Sequence, residues 1–73
     1  MKIKYDSEAD ILIFIIRDVP PNDAIEEPGG VIVSYGSDNE PVSVEFLNAS
    51  KRKLVKSGEL NVSLQGYYDA IVE

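Results

Sequence analysis

The chain has 73 residues, 44% of them hydrophobic, with thirteen acidic side chains against seven basic ones. It contains no histidine and no cysteine, which excludes disulfides, thiolate metal sites and conventional zinc sites. A domain this short buries only about 60% of the surface of its unfolded chain, so its stability depends on regular packing or on self-association. We expect one domain over residues 1–73.

The net charge of −6 is unevenly distributed: it is −7 over residues 1–50, +4 over residues 51–56 and −3 over residues 57–73. An acidic surface repels phosphate backbones and anionic lipids, so the composition favours a basic protein partner over nucleic acid or a membrane. Met1 to Asp6 lacks the apolar run of a signal peptide, and Ile11 to Ile16 is far shorter than the ~20 residues that span a bilayer. We expect a cytoplasmic protein.

The first two predicted strands form a hairpin. Residues Lys2 to Tyr5 alternate polar and apolar, and Ile11 to Ile16 is rich in branched and aromatic side chains. The second strand is apolar on both faces, so a short helix, the C-terminal segment or a second copy of the chain must cover the other face. We expect a homodimer whose contact face contains Leu12, Phe14 and Ile16.

The middle of the chain predicts a second hairpin. Val19 to Asp23 contains two prolines and is a loop, and Ala24 to Glu27 is expected to pair only weakly. Pro28-Gly29-Gly30 breaks the chain before two strands, at Val31 to Tyr35 and Val42 to Leu47.

A short helix and a final strand are predicted after the second hairpin. Asn48 or Ser50 is suited to cap a helix of about two turns, and Gly58 is suited to end it. Leu60 to Gln65 then alternates apolar and polar residues, as a strand does. The predicted class is α+β, a small antiparallel sheet of β-β-β-β-α-β order with one short helix.

Three segments together resemble a known family. They are Lys2 to Ile13 with its Tyr5-Asp6-Ser7-Glu8-Ala9-Asp10 motif, Gly30 to Tyr35, and Val44 to Arg52 with its Asn48-Ala49-Ser50-Lys51 motif. In this order they resemble the prokaryotic domain of unknown function 2283 over residues 2 to about 54. Phe14 and Ser34 depart from the family pattern, which does not cover residues 57–73. The resemblance implies an antitoxin-like role, as the acidic partner of a small basic toxin.

Asp6, Glu8 and Asp10 have the alternating spacing that opens a calcium-binding loop. The rest of that loop is missing, because Ile11 stands where glycine is required and Arg17 where the bidentate glutamate is required. We therefore interpret the segment as a solvated hairpin turn whose aspartates bond to their own backbone, with ordinary exposed carboxylates and no metal.

No catalytic or cofactor-binding residue is predicted. The seven serines lack a histidine to activate them, which leaves only a serine–lysine arrangement of Lys53 with Ser50 or Ser57 open. Gly29-Gly30 leads into a strand, whereas phosphate-binding glycine loops lead into a helix.

The basic cluster consists of Lys51, Arg52, Lys53 and Lys56. It is a candidate contact surface for a partner or for nucleic acid, with Tyr67 or Tyr68 available for stacking. The reading that we favour is a solvated face that pairs with Glu45, Glu59 or a neighbouring subunit.

The sequence thus predicts a dimeric, non-enzymatic interaction module without cofactors. It presents an acidic surface or a sheet edge to a protein partner. The alternative is a small nucleic-acid-binding protein that uses residues 51–56.

Overall fold

The structure is a computed structural model and describes residues 1–56, 59 and 60. Its strands are β1 (Lys2–Asp6), β2 (Ile11–Ile15), β3 (Asp23–Glu27), β4 (Val31–Tyr35) and β5 (Pro41–Leu47). They form one antiparallel sheet in the order β1-β2-β5-β4-β3. The longest strand, β5, therefore lies in the centre, and β1 and β3 are the two edges of the sheet that residues 2–47 form.

The predicted α+β class is wrong: the described residues form a small all-β sheet and include no helix. The segment after Asn48 makes a single turn. The Leu54 N–H donates to the Ala49 carbonyl and the Lys53 N–H to the Ser50 carbonyl, each at 3.0 Å. Lys53 has a φ of 63°, and these features together resemble a Schellman helix end.

The predicted helix does not form, because the sequence of this segment offers little to stabilise it. Lys51 and Arg52 lie near the positive end of the turn, where cations are disfavoured. The turn then ends at Lys53, five residues before Gly58, the predicted stop. From residue 61 onward, the predicted strand from Leu60 to Gln65 lies outside the described residues.

The first hairpin is confirmed, with Asp6 paired to Ile11. The Asp6 carboxylate accepts the backbone N–H groups of Glu8 and Ala9, both at 3.1 Å, and Asp10 ends the turn with a left-handed φ of 57°. A short polar side chain tolerates that conformation better than most, which explains an aspartate there.

Ala24 to Glu27, predicted to pair only weakly, lies in a fully paired edge strand. All five residues of β3 pair with β4, from Asp23 opposite Tyr35 to Glu27 opposite Val31. The sequence suits the turn from β3 to β4, because Gly29 and Gly30 have φ values of 88° and 79° that only glycine adopts readily.

Two faces result from the register, because directly paired residues share a face. The core face carries Leu12, which is 1% exposed beneath Ala49 and Val55 at 0% and 3%. Residues 48–56, here called the cap segment, thus cover part of this face. The rings of Phe14 and Phe46 meet edge to face beside them, with centroids 5.7 Å apart.

The opposite, outer face carries the other side chains of β2. Ile13 and Ile15 line a cleft of about 350 Å³ together with Val19 and Pro21 of the loop after β2. The chain therefore covers each face of β2 in part, on one side with the cap segment and on the other with this loop.

Candidate interaction surfaces

The first candidate surface is the acidic edge, defined as Asp23, Glu26 and Glu27 of β3. Every residue of this strand is exposed, and Ile25 in its centre is 48% exposed. Edge strands carry unpaired backbone groups that can pair with another chain.

Alternation along the ladder shows which backbone groups are open. The Leu47 N–H donates to the Gly30 carbonyl, so the backbone groups of Gly30 point towards β5. The backbone groups of the next residue, Val31, therefore point towards β3. The backbone groups of Glu27, which pairs with Val31, then point towards β4. By the same alternation, Glu26 directs its N–H and carbonyl away from the sheet.

Ala24 shares the orientation of Glu26. Its N–H donates to the Asp23 carboxylate at 2.8 Å, which leaves the Ala24 carbonyl open. With respect to the part of the chain that the structure describes, the acidic edge thus offers one donor, on Glu26, and two acceptors, on Ala24 and Glu26, bordered by three carboxylates.

The opposite edge has a different charge. Lys2 and Lys4 of β1 outnumber Asp6, so this edge is basic and the β3 edge is acidic. If either edge paired with the same edge of a second molecule, like charges would come together. This is a common protection against self-association.

A second feature joins the first turn to the cap segment; we call Tyr5, Asp10 and Ser50 the carboxylate anchor. One oxygen of Asp10 accepts the Tyr5 hydroxyl at 2.8 Å and the Ser50 N–H at 3.0 Å. The other accepts the Ser50 hydroxyl at 2.7 Å. In addition, the Ala49 N–H donates to the Asp10 carbonyl at 3.0 Å.

The anchor changes the acidity of both titratable members. Hydrogen bonds from the hydroxyls of Ser50 and Tyr5 lower the pKa of Asp10, and the bond to Asp10 raises the pKa of Tyr5. A carboxylate with a lowered pKa is a weak base and does not activate the serine hydroxyl that it holds. The anchor is therefore suited to a structural role.

Sequence reasoning missed the anchor. Asp6 bonds to its own turn as expected, but Asp10 reaches residues 40 positions away. No local pattern connects two such distant segments. Within the described residues, no group of three acidic side chains is arranged to hold a metal ion.

Within the basic cluster, Arg52 and the three lysines have different environments. Arg52 donates through Nε to the Leu47 carbonyl at 2.8 Å, and its guanidinium lies against Gly29 and Gly30. Arg52 thus braces the turn between β3 and β4. The lysines, Lys51, Lys53 and Lys56, are exposed.

The expected partners of the cluster are not paired with it through side chains in the described part of the chain. The salt bridge found there joins Arg17 to Asp38, with two contacts of 2.9 Å. This pair raises the pKa of Arg17 and lowers that of Asp38. It ties the loop after β2 to the turn between β4 and β5, beside a cleft of about 470 Å³ that contains Pro20 and Pro21.

The residues of the predicted dimer face, Leu12, Phe14 and Ile16, differ in exposure, and their role in a dimer stays a prediction. Leu12 lies beneath the cap segment, Phe14 is half-buried, and Ile16, at 42% exposed, follows the end of β2. A different apolar set, one residue from each strand in sheet order, is only partly buried by the residues that the structure describes. This open row is Ile3, Phe14, Val44, Val33 and Ile25.

Comparison with known proteins gives one match. The family described as "Protein of unknown function (DUF2283)" matches residues 2–50, which is more than half of the chain. The chain belongs to this family. The resemblance seen in the sequence is thereby confirmed, and the matched segment contains all five strands and the complete carboxylate anchor of this DUF2283 protein.

No curated protein and no solved structure matched the chain. Among the residues that the structure describes, no helix is long and apolar enough to cross a membrane.

Proposed function

We propose that this DUF2283 protein is a non-enzymatic interaction module that binds a basic, extended segment of a partner protein along the acidic edge. The observation that supports this is the combination of open backbone groups on Ala24 and Glu26 with three flanking carboxylates. An added strand would take its affinity from main-chain hydrogen bonds and its preference for cations from those carboxylates.

A non-enzymatic role agrees with the chemistry of the side chains. The chain has neither histidine nor cysteine, and the Ser50 hydroxyl donates to Asp10, a weak base. A small basic protein, the partner of the antitoxin-like role that the family resemblance implies, fits the acidic edge.

The direct test uses a synthetic peptide of alternating lysine and valine, which is basic and readily extended. We expect it to bind the purified protein, and the affinity to fall at least about tenfold between ~50 mM and ~500 mM salt. Chemical-shift changes should centre on the amide of Glu26.

Two substitutions separate the backbone from the charge. Glu26→Pro removes the open N–H and should abolish peptide binding, whereas Glu26→Gln keeps it and should weaken binding about two- to fivefold. Glu8→Gln removes an exposed carboxylate from the distant first turn and is the matched control. Equal affinities for Glu26→Gln, Glu26→Pro and Glu8→Gln would rule out the edge as the binding surface.

The same preparation distinguishes the alternative function. Binding of single-stranded DNA that is lost when Lys51 and Lys53 are changed to glutamate, with no binding of the basic peptide, would contradict the proposal and support nucleic-acid binding.

A further inference from the structure

The two faces of the acidic edge differ in chemistry. Successive side chains of a strand point to opposite faces of the sheet, so Asp23, Ile25 and Glu27 share the core face. Ala24 and Glu26 share the outer face. On the core face an apolar side chain thus stands between two carboxylates, each about 6.7 Å away along the strand. The outer face of this strand has a single carboxylate beside a methyl group.

Ile25 is the apolar centre of this edge. It pairs with Val33 of β4, so that it forms the β3 end of the open row. Against the described part of the chain its side chain is 48% exposed. A strand added along β3 would place one of its own side chains directly beside Ile25 and would bury part of this apolar surface.

The backbone of β3 sets which position of an added strand lies closest to Ile25. The N–H and carbonyl of Glu26 point away from the sheet, so those of Ile25 point towards β4. In an antiparallel pair, a residue whose backbone groups point away from the new neighbour faces it across the narrow spacing, about 4.5 Å between Cα atoms. The residue opposite Ile25 therefore makes close side-chain contact, and the residue opposite Glu26 makes two backbone hydrogen bonds.

We propose, on the basis of the strand addition proposed above, that the acidic edge selects a segment in which a branched apolar residue stands between cations. An antiparallel partner places its first two cations opposite Glu27 and Glu26. The branched apolar residue then lies opposite Ile25, a small residue opposite Ala24 and a third cation opposite Asp23. The sequence Lys-Lys-Ile-Ala-Lys has this order.

The charges and the apolar contact contribute in different ways. Exposed ion pairs attract any basic segment and are screened by salt, so they set the affinity but distinguish poorly between basic partners. Burial of an apolar side chain against Ile25 is not screened. The preference for the apolar residue should therefore be independent of salt, although the affinity itself falls as salt is added.

Three end-capped peptides of equal charge test this on the native protein, each with two threonines on both sides of a five-residue centre. The centre Lys-Lys-Ile-Ala-Lys should bind at least about threefold more tightly than Lys-Lys-Ser-Ala-Lys, at both ~50 mM and ~500 mM salt. The centre Lys-Ile-Lys-Ala-Lys has the composition of the first peptide but places isoleucine opposite Glu26. It should bind no better than the serine peptide in chemical-shift titrations.

A protein variant then locates the preference. Ile25→Thr keeps a branched side chain suited to a strand, so its circular dichroism spectrum should be unchanged. In this variant the affinities for the isoleucine and serine peptides should agree to within about 1.5-fold, because the apolar contact is lost. Ile3→Thr makes the same change at the opposite edge of the sheet and should keep the preference. If Ile25→Thr fails to fold, the three peptides on the native protein still decide the question.

The outcomes separate this inference from the proposed function. Equal binding of all three peptides would show that the edge binds cations without selecting an apolar residue, so the inference would be wrong while the proposed function stands. A preference that persists in Ile25→Thr would overturn the inference as well. If no peptide binds, including the case in which residues 61–73 occupy the edge, both are wrong.

Discussion

Asp10 shows how one side chain can join distant parts of a small sheet. It ends the first turn in a left-handed conformation and binds both hydroxyls of the anchor. Because the chain has no disulfide, such polar links and the few buried apolar side chains hold the cap segment on the core face.

The anchor predicts a pH dependence of stability. The pKa of Asp10 is below its ordinary value of 3.8 in the folded state, so the anchor stabilises fully above that value and is lost as pH falls through the folded pKa. We expect Asp10→Asn to lower Tm by several degrees at pH 7 and to lose less stability than the native chain between pH 5 and about pH 2.5. Urea unfolding at each pH measures this.

Asp38, whose pKa is also lowered, remains in that variant, so the acid dependence is reduced and not abolished. Ser50→Ala should remove part of the same effect, and the double variant with Asp10→Asn should be less than additive, since the two residues share their hydrogen bonds. Parallel pH curves for native and Asp10→Asn proteins would contradict the role of the anchor.

Lys53 gives a second prediction at the scale of one residue. It adopts a φ of 63°, which costs a side chain of this type about 1 kcal/mol relative to glycine. Lys53→Gly should therefore raise the free energy of unfolding by roughly 0.5–1 kcal/mol, measured by urea denaturation. Lys51→Gly, which removes the same charge from a residue without positive φ, should not stabilise; equal effects of the two changes would point to charge as the cause.

At the scale of elements, the turns of this sheet depend on their glycines to different degrees. Gly30 has a φ of 79°, and a Cβ there would lie 3.4 Å from the Leu47 Cβ and 3.2 Å from the Arg52 guanidinium. A Cβ on Gly36 would lie 2.9 Å from the Arg17 guanidinium and 3.0 Å from the Asp38 carboxylate. Only the first site combines backbone strain with a neighbour fixed in the central strand.

We therefore expect Gly30→Ala to destabilise by about 1–2 kcal/mol and Gly36→Ala to be much milder. At Gly36 the long Arg17 side chain can move aside, and alanine restricts the unfolded chain. Thermal unfolding of the two variants ranks them. A larger loss at Gly36 would mean that the Arg17–Asp38 pair matters more to the sheet than the turn between β3 and β4.

At the scale of the whole molecule, the charges differ between the two edges of the described sheet: β1 carries Lys2 and Lys4, and β3 carries Asp23, Glu26 and Glu27. If the proposed contact is made by the acidic edge, binding of the basic peptide should weaken with salt, and an affinity unchanged between low and high ionic strength would contradict it.

Strands β1, β2, β4 and β5, both hairpins and the family were predictable from sequence, because alternation, branched residues and turn formers are local signals. The strand signal at Ala24 to Glu27 was weaker, because Asp23, Glu26 and Glu27 make this segment acidic. Its pairing depends on the neighbouring strand β4. The helix prediction failed because Asn48, Ser50 and Gly58 are suitable ends for a helix whose interior could not sustain one.

Which side chains meet depends on the order and register of the strands. Sheet order brought Asp10 to Ser50, covered Leu12 with the cap segment, and aligned one apolar residue from every strand in the open row. These contacts join residues far apart in the chain, and their energy comes from register and burial, which no short stretch of sequence specifies.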